Sequence, residues 1–174
     1  MKRIVYVCLS LFLLASCEAL ENIELKAENN LVEILPVRIA QTTNIAESFD
    51  FTNTINIHSG DFVQYKDKVT ALQVSMMSYR FIGFSGDTTG SILSGNLKLD
   101  DVEISKMTDV NVSTAAAEGT VFNVTDVAKL NRLASNFLEN SEVLVSLKGA
   151  VLSEAASMDF NVEVRIDMIA TLKE

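Results

Sequence analysis

One imidazole limits the proton chemistry open to this chain. His58 is its only histidine, and it stands beside Ser59, Gly60 and Asp61. Serine, histidine and aspartate are the groups of a nucleophilic triad, in which the ring takes a hydroxyl proton and the carboxylate orients the ring. An elbow that presents such a serine reads Gly-x-Ser-x-Gly. The nearest stretch here, Gly83-Phe84-Ser85-Gly86, has the wrong spacing. His58 therefore reads as a surface or rim histidine at a strand end. The carboxylates are densest at Asp100-Asp101-x-Glu103 and at Asp61/Asp67. Loop oxygens suit calcium, but no EF-hand spacing is present. Zinc lacks ligands in a chain with one His. Paired carboxylates also serve glycoside hydrolysis, although a chain with no Trp is poorly equipped to stack a sugar. These clusters read as solvated acidic loops, so no catalytic residue, metal or cofactor is expected. Tyr65, Tyr79, Phe81 and Phe84 form a third set. They would make an aromatic patch at one end of a sandwich, or else Tyr79 and Phe81 are core and Phe84 caps it. The core reading is preferred.

The elements that would position these residues are strands. From Leu31 to Ala40 the chain is apolar-rich, and Pro36, the only proline, marks an edge strand because it cannot donate to a ladder. Phe49, Phe51, Ile55 and Ile57 alternate with polar residues, the period of a half-buried strand. Val69 to Phe84 changes parity between Leu72, Val74, Met76 and Tyr79, Phe81, which predicts a bulge or two strands. Ile92 to Ile104 reads as a strand pair around Ser94-Gly95-Asn96. The C-terminus alternates without a break. Met158, Phe160, Val162, Val164, Ile166, Met168, Ala170 and Leu172 are even, and Asp159, Asn161, Glu163, Arg165 and Asp167 lie between them, giving one buried and one wet face. Val143 to Leu152 is predicted as its hairpin partner. One segment has helical spacing: Thr125-Asp126 caps a helix over about 126–138, with Val127, Leu130, Leu133, Ala134, Phe137 and Leu138 on one face. The helix reads as a crossover closing one end of the sandwich. Strands dominate, so the expected fold is all-β, an immunoglobulin-like antiparallel sandwich in architecture only, preceded by a signal peptide. A closed barrel is the alternative.

The N-terminal residues form a separate unit. Lys2 and Arg3 precede Ile4 to Ala15, a run in which only Ser10 is polar. Such a run matches the apolar region of a signal peptide and is short for a membrane span. It ends in Leu14-Ala15-Ser16-Cys17, which resembles the lipobox of bacterial lipoproteins, where the Cys thiol is acylated and the chain is cut before it. The expected organisation is a signal peptide at 1–16, an acidic tether at 17–30 and a β-sandwich domain at 31–174. Cys8 would leave with the signal, so lipid would occupy the remaining thiol, on Cys17, and no disulfide would form. Two or more acyl chains on one residue hold a protein durably to a bilayer. The acidic residues after Cys17 resemble the surface-export signal of some Bacteroidota lipoproteins.

Thr70-Ala71-Leu72-Gln73-Val74, Tyr79-Arg80-Phe81 and Phe84-Ser85-Gly86-Asp87 are similar to stretches of small β-sandwich lipoproteins of Bacteroidota. So are Leu144-Val145-Ser146-Leu147-Lys148-Gly149 and Asp159-Phe160-Asn161-Val162-Glu163-Val164. The resemblance spans most of residues 45 to 172 and implies an address rather than an activity. A net charge of −9 repels phosphate backbones and excludes nucleic acid as a partner. The expected function is a non-enzymatic binding or accessory module, anchored in the outer membrane by lipid on Cys17 and facing the surface or the periplasm, with a protein or glycan partner. The alternatives are a structural envelope-assembly component acting through sheet edges and a hydrolase using carboxylates.

Overall fold

The computed structural model describes residues 25–40, 47–56, 60–65, 67–86, 92–140, 142–152 and 157–173. The signal peptide, Cys17, His58 and Ser59 lie outside these residues, as does the side chain of Asp61.

The C-terminal alternation builds the middle of a sheet. Strand β8 (Met158–Leu172) buries every even residue. It pairs antiparallel with β1 (Leu25–Ile39) over the full length of both strands, and with β3 (Val69–Ser85) on its other side. The short β6 (Val121–Val124) adds to β3 over Met77–Arg80, giving the order β1-β8-β3-β6. The second sheet has the order β2-β7-β4-β5, formed by β2 (Glu47–Asn56), β7 (Glu142–Leu152), β4 (Ile92–Leu99) and β5 (Val102–Asn111). Both sheets are antiparallel and four-stranded, and their inner faces share one core that includes Leu35, Phe81, Leu97, Leu147 and Val162. The all-β sandwich expected from the sequence is therefore present. Its strand order is that of a jelly roll, two Greek keys folded over each other. In an immunoglobulin domain, by contrast, the first two strands are neighbours in one sheet.

Several local expectations change. β7 and β8 are not a hairpin, because they lie in opposite sheets. Alternation shows which face of a strand is buried but not which strand lies beside it, and these two apolar faces meet across the core. Gly95 lies inside β4 and is not a turn. The β4–β5 hairpin turns at Asp100-Asp101, where Asp100 has φ 49°, a left-handed conformation that Asp tolerates better than most residues. The bulge expected in β3 falls between Val74 and Met76. The sandwich begins earlier than expected, at Leu25. Leu25–Asn30, assigned to the tether above, already pairs with β8, and Asn29 is buried on the inner face.

Among the described residues there are two α-helices rather than one, besides a 3-10 turn at Gly60–Tyr65. α1 (Val112–Glu118) is capped by Asn111, whose side chain accepts from the Thr114 amide at 2.9 Å, and it ends at Gly119 with φ 64°. α2 (Val127–Glu139) is the helix expected from the sequence. Its cap Asp126 accepts from Ala128 and Lys129. Leu130, Leu133, Ala134 and Phe137 are buried, whereas Val127 and Leu138 are exposed. Both helices pack against β3 of one sheet and β5 of the other, so together they bridge the two sheets. Among the described residues no helix is long and apolar enough to cross a membrane.

Two glycines allow the second sheet to pack. Gly95 and Gly149 are opposite each other on β4 and β7, and Phe49 of β2 is opposite Gly149. A Cβ on Gly149 would meet the Ser94 carbonyl oxygen at 2.2 Å and the Phe49 ring at 3.0 Å. Backbone cannot yield cheaply here, and overpacking of this kind costs about 1–3 kcal/mol. Gly149→Ala is therefore expected to lower unfolding free energy by about 2–3 kcal/mol in urea titration. An unchanged midpoint would show that the strands separate freely at this point.

Candidate functional site

The acidic cluster singled out in the sequence is used structurally. The Asp100 carboxylate accepts from the Leu144 amide at 2.8 Å, and the Asp100 amide donates to the Leu144 carbonyl at 2.7 Å. Asp101 pairs with Arg132 and accepts from the Asn136 amide of α2 at 3.3 Å. Glu103 stands opposite Lys98 in the hairpin. The turn is thus tied to β7 and α2, and its oxygens already have donors. Among the described residues, no group of three metal-ligating side chains is close enough to hold an ion. The aromatic set does not form a surface patch either. Tyr79 and Phe81 are buried, and they form a core cluster with Phe122 and Phe160. The Tyr79 and Phe122 rings stack at 4.9 Å. Tyr65 and Phe84 are half-buried beside the core.

The most differentiated surface is the outer face of the β1-β8-β3-β6 sheet. The odd residues of β8 run down its middle, and most of them are half-buried between taller neighbours. Along this stripe the charges are matched by register. Arg38 of β1 lies opposite Asp159 and pairs with it at 3.3 Å. Arg80 of β3 grips Glu163 with two bonds, Nε to Oε1 at 2.8 Å and Nη2 to Oε2 at 3.0 Å. Asn30 of β1 donates to Asp167. A two-pronged guanidinium–carboxylate pair fixes orientation as well as charge. The Glu163 hydrogen bonds and charge raise the Arg80 pKa above its ordinary value, so Arg80 stays cationic. Apolar side chains flank the stripe. Val32 and Ile34 are exposed on β1, Met76 on β3 and Val121 on β6.

Three shallow depressions follow β8. One, of about 550 Å³, lies by Pro36, Arg38, Asp159 and Asn161. A second, of about 170 Å³, lies by Ser78, Arg80, Asn123, Glu163 and Arg165. The third, of about 460 Å³, lies by Glu28, Asn30, Ser75 and Asp167. The sequence marks the odd residues of β8 as a wet face. It does not show that Arg80, Ser78 and Asn123 stand beside them, because pairing across three strands leaves no trace in local spacing.

Beneath this face Tyr79 points inward, and its hydroxyl is 2.8 Å from Ser105 Oγ on the opposite sheet. Burial raises the phenol pKa, and the Ser105 hydrogen bond partly opposes that shift. Tyr79 is therefore a neutral cross-sheet link rather than a proton acceptor.

No protein-family model and no curated protein matches the chain. Solved structures with a similar course of chain include capsid proteins and viruses. The decameric BFDV capsid protein is 7% identical, with 84% of this chain and 99% of that one covered and a TM-score of 0.44. Desmodium yellow mottle tymovirus is 12% identical, with coverage of 84% and 91% and a TM-score of 0.29. Tobacco necrosis virus is 12% identical, with coverage of 84% and 98% and a TM-score of 0.35.

The Tyr79 environment predicts an alkaline limb in stability. An unfolded phenol ionises near the ordinary tyrosine value of 10.0, whereas the folded one stays protonated to higher pH. The folded state then binds more protons, so this contribution is intact below pH 10 and is lost as pH rises through the raised folded pKa. Tyr79→Phe should cost about 1 kcal/mol at neutral pH through the lost Ser105 bond. Its denaturation midpoint should also fall less steeply than the wild type's above pH 10. Parallel curves for the two proteins would refute the assignment.

Proposed function

We propose that this chain is a non-enzymatic binding or accessory module, held at the bacterial outer membrane by lipid on Cys17, and that the outer face of the β1-β8-β3-β6 sheet is its recognition surface. One observation carries the binding part. That face combines a polar stripe, held in place by Arg80–Glu163, Arg38–Asp159 and Asn30–Asp167, with exposed Val32, Ile34, Met76 and Val121. Polar groups fixed before binding lose little freedom when a ligand arrives, and apolar margins supply area to bury. The consumption of Asp100 and Asp101 by structural donors supports a non-enzymatic reading over a hydrolase built on those carboxylates. The anchor rests on Leu14-Ala15-Ser16-Cys17 behind a charged and then apolar leader. β1 begins at Leu25, so a few residues separate the lipid from the first strand. The sandwich would therefore lie near the membrane surface.

A second reading has its own observation. β1 is a fifteen-residue strand at a sheet edge, and among the described residues no strand pairs with its outer side. Pro36 interrupts that edge and blunts it. Assembly through this edge is the alternative, and capture of a ligand on the face is preferred.

Metabolic labelling with an alkyne fatty acid tests the anchor. The wild-type chain should carry the label and sediment with membranes, and Cys17→Ala should lose both properties. Label retained in Cys17→Ala, or unlabelled wild-type protein in the soluble fraction, would overturn the anchor. Protease treatment of sealed cells then reports which side of the membrane the domain faces.

A further inference from the structure

Three strands place three hydrogen-bond donors in one row on the proposed recognition face. Arg165 of β8 is opposite Ser78 of β3, and Ser78 is opposite Asn123 of β6. The next row holds Glu163, Arg80 and Val121 in the same strand order. All these residues face outward, because Val164, Tyr79 and Phe122 between them turn toward the core.

Arg165 is exposed, and its guanidinium meets no carboxylate or other acceptor among the described residues. The carboxylates two positions away on its own strand are taken, Glu163 by Arg80 and Asp167 by Asn30. Ser78 is only 7% exposed, yet no described residue is hydrogen-bonded to its hydroxyl. The Asn123 side chain is exposed and likewise has no hydrogen bond to a described residue. A hydroxyl on a side chain as buried as Ser78 ordinarily finds a partner in the protein, in water or in a ligand. All three line the depression of about 170 Å³, whose walls include the apolar side chains of Met76 and Val121.

We infer that Arg165, Ser78 and Asn123 form a subsite for a single carboxylate carried on a small, partly apolar ligand. The inference rests on reading this face as the recognition surface, and it names the ligand chemistry. Arg165 and Arg80 against Glu163 leave one net positive charge in the depression, within a chain of net charge −9. That local charge suits a monoanion, and Glu163 and Asp167 repel a phosphate dianion or a polyanion. A planar carboxylate matches the guanidinium fork. Ser78 and Asn123 donate to whichever oxygen faces β3, and Met76 and Val121 contact the carbon body.

Ligand-observed saturation-transfer NMR on the full chain in nonionic detergent tests the subsite with two probes. Glucuronate represents an acidic sugar, N-acetylalanine represents a peptide C-terminus, and glucose and N-acetylalanine amide are their neutral controls. At least one acid should give saturable transfer that its neutral control lacks, and the acid that does so identifies the source. Arg165→Ala should weaken that binding roughly tenfold to a hundredfold, the scale of one charged hydrogen-bonding partner. Arg165→Lys should recover part of it, and Ser78→Ala should weaken binding with folding unchanged. No transfer from either acid, or equal transfer to wild type and Arg165→Ala, overturns the subsite. Neither result bears on lipid at Cys17, which the fatty-acid label reads separately.

Discussion

β8 must satisfy two neighbours and two faces at once. Its backbone is paired with β1 on one side and β3 on the other, so it cannot slide relative to either. A slip of one residue would turn Phe160, Val162, Val164 and Ile166 to solvent and drive Glu163 and Arg165 into the core. Burial of the even residues therefore locks the register, and the register in turn places Arg80 on Glu163 and Arg38 on Asp159. The proposed recognition face is the outer side of the constraint that holds the core together.

The two sheets are also joined by polar links near their open sides. Asn53 of β2 donates to Glu33 of β1 on one side, and Tyr79 of β3 meets Ser105 of β5 on the other. Such bonds add little net energy, but they are costly to leave unmade once their groups are buried. They disfavour relative sliding that apolar contacts alone would permit. The helices complete the side near β5. α2 crosses from β3 to β5, and Arg132 and Asn136 hold the β4–β5 turn through Asp101. What looks in the sequence like a possible cation site is a fastening between a hairpin and a helix.

Asp100, Asp101, Asp126 and Glu163 are held by amides or guanidinium groups, which accounts for their positions without any chemistry on a substrate. On the outer face of the β1-β8-β3-β6 sheet the unclaimed polar groups Arg165, Ser78 and Asn123 are donors instead. In a chain with a large negative charge, an unpaired arginine beside an unpartnered hydroxyl and amide is the stronger departure from what solubility alone requires.

Much of this was legible in the linear pattern. The fifteen-residue alternation of β8, the proline in the edge strand β1, the parity change within β3 and the Asp126-capped helix all arise from interactions local in sequence. Side-chain period, backbone dihedrals and caps operate over one to four residues, so spacing alone reveals them. α1 carried similar signals in Asn111, its alanines and Gly119, but its seven residues are too few for a periodic pattern to stand out. The chain alone also carries the charged-then-apolar N-terminal run, the lipobox-like Leu14-Ala15-Ser16-Cys17 and the overall acidity. Tertiary structure decided which strands are neighbours, and with that it sent β7 and β8 to opposite sheets, placed Gly95 against Gly149 and assigned Asp101 to a helix. It also aligned Arg165, Ser78 and Asn123 from strands far apart in the chain. The physical reason is that alternation specifies a buried face and nothing about lateral partners. Those are chosen by packing two apolar faces against each other, a choice that depends on every strand together.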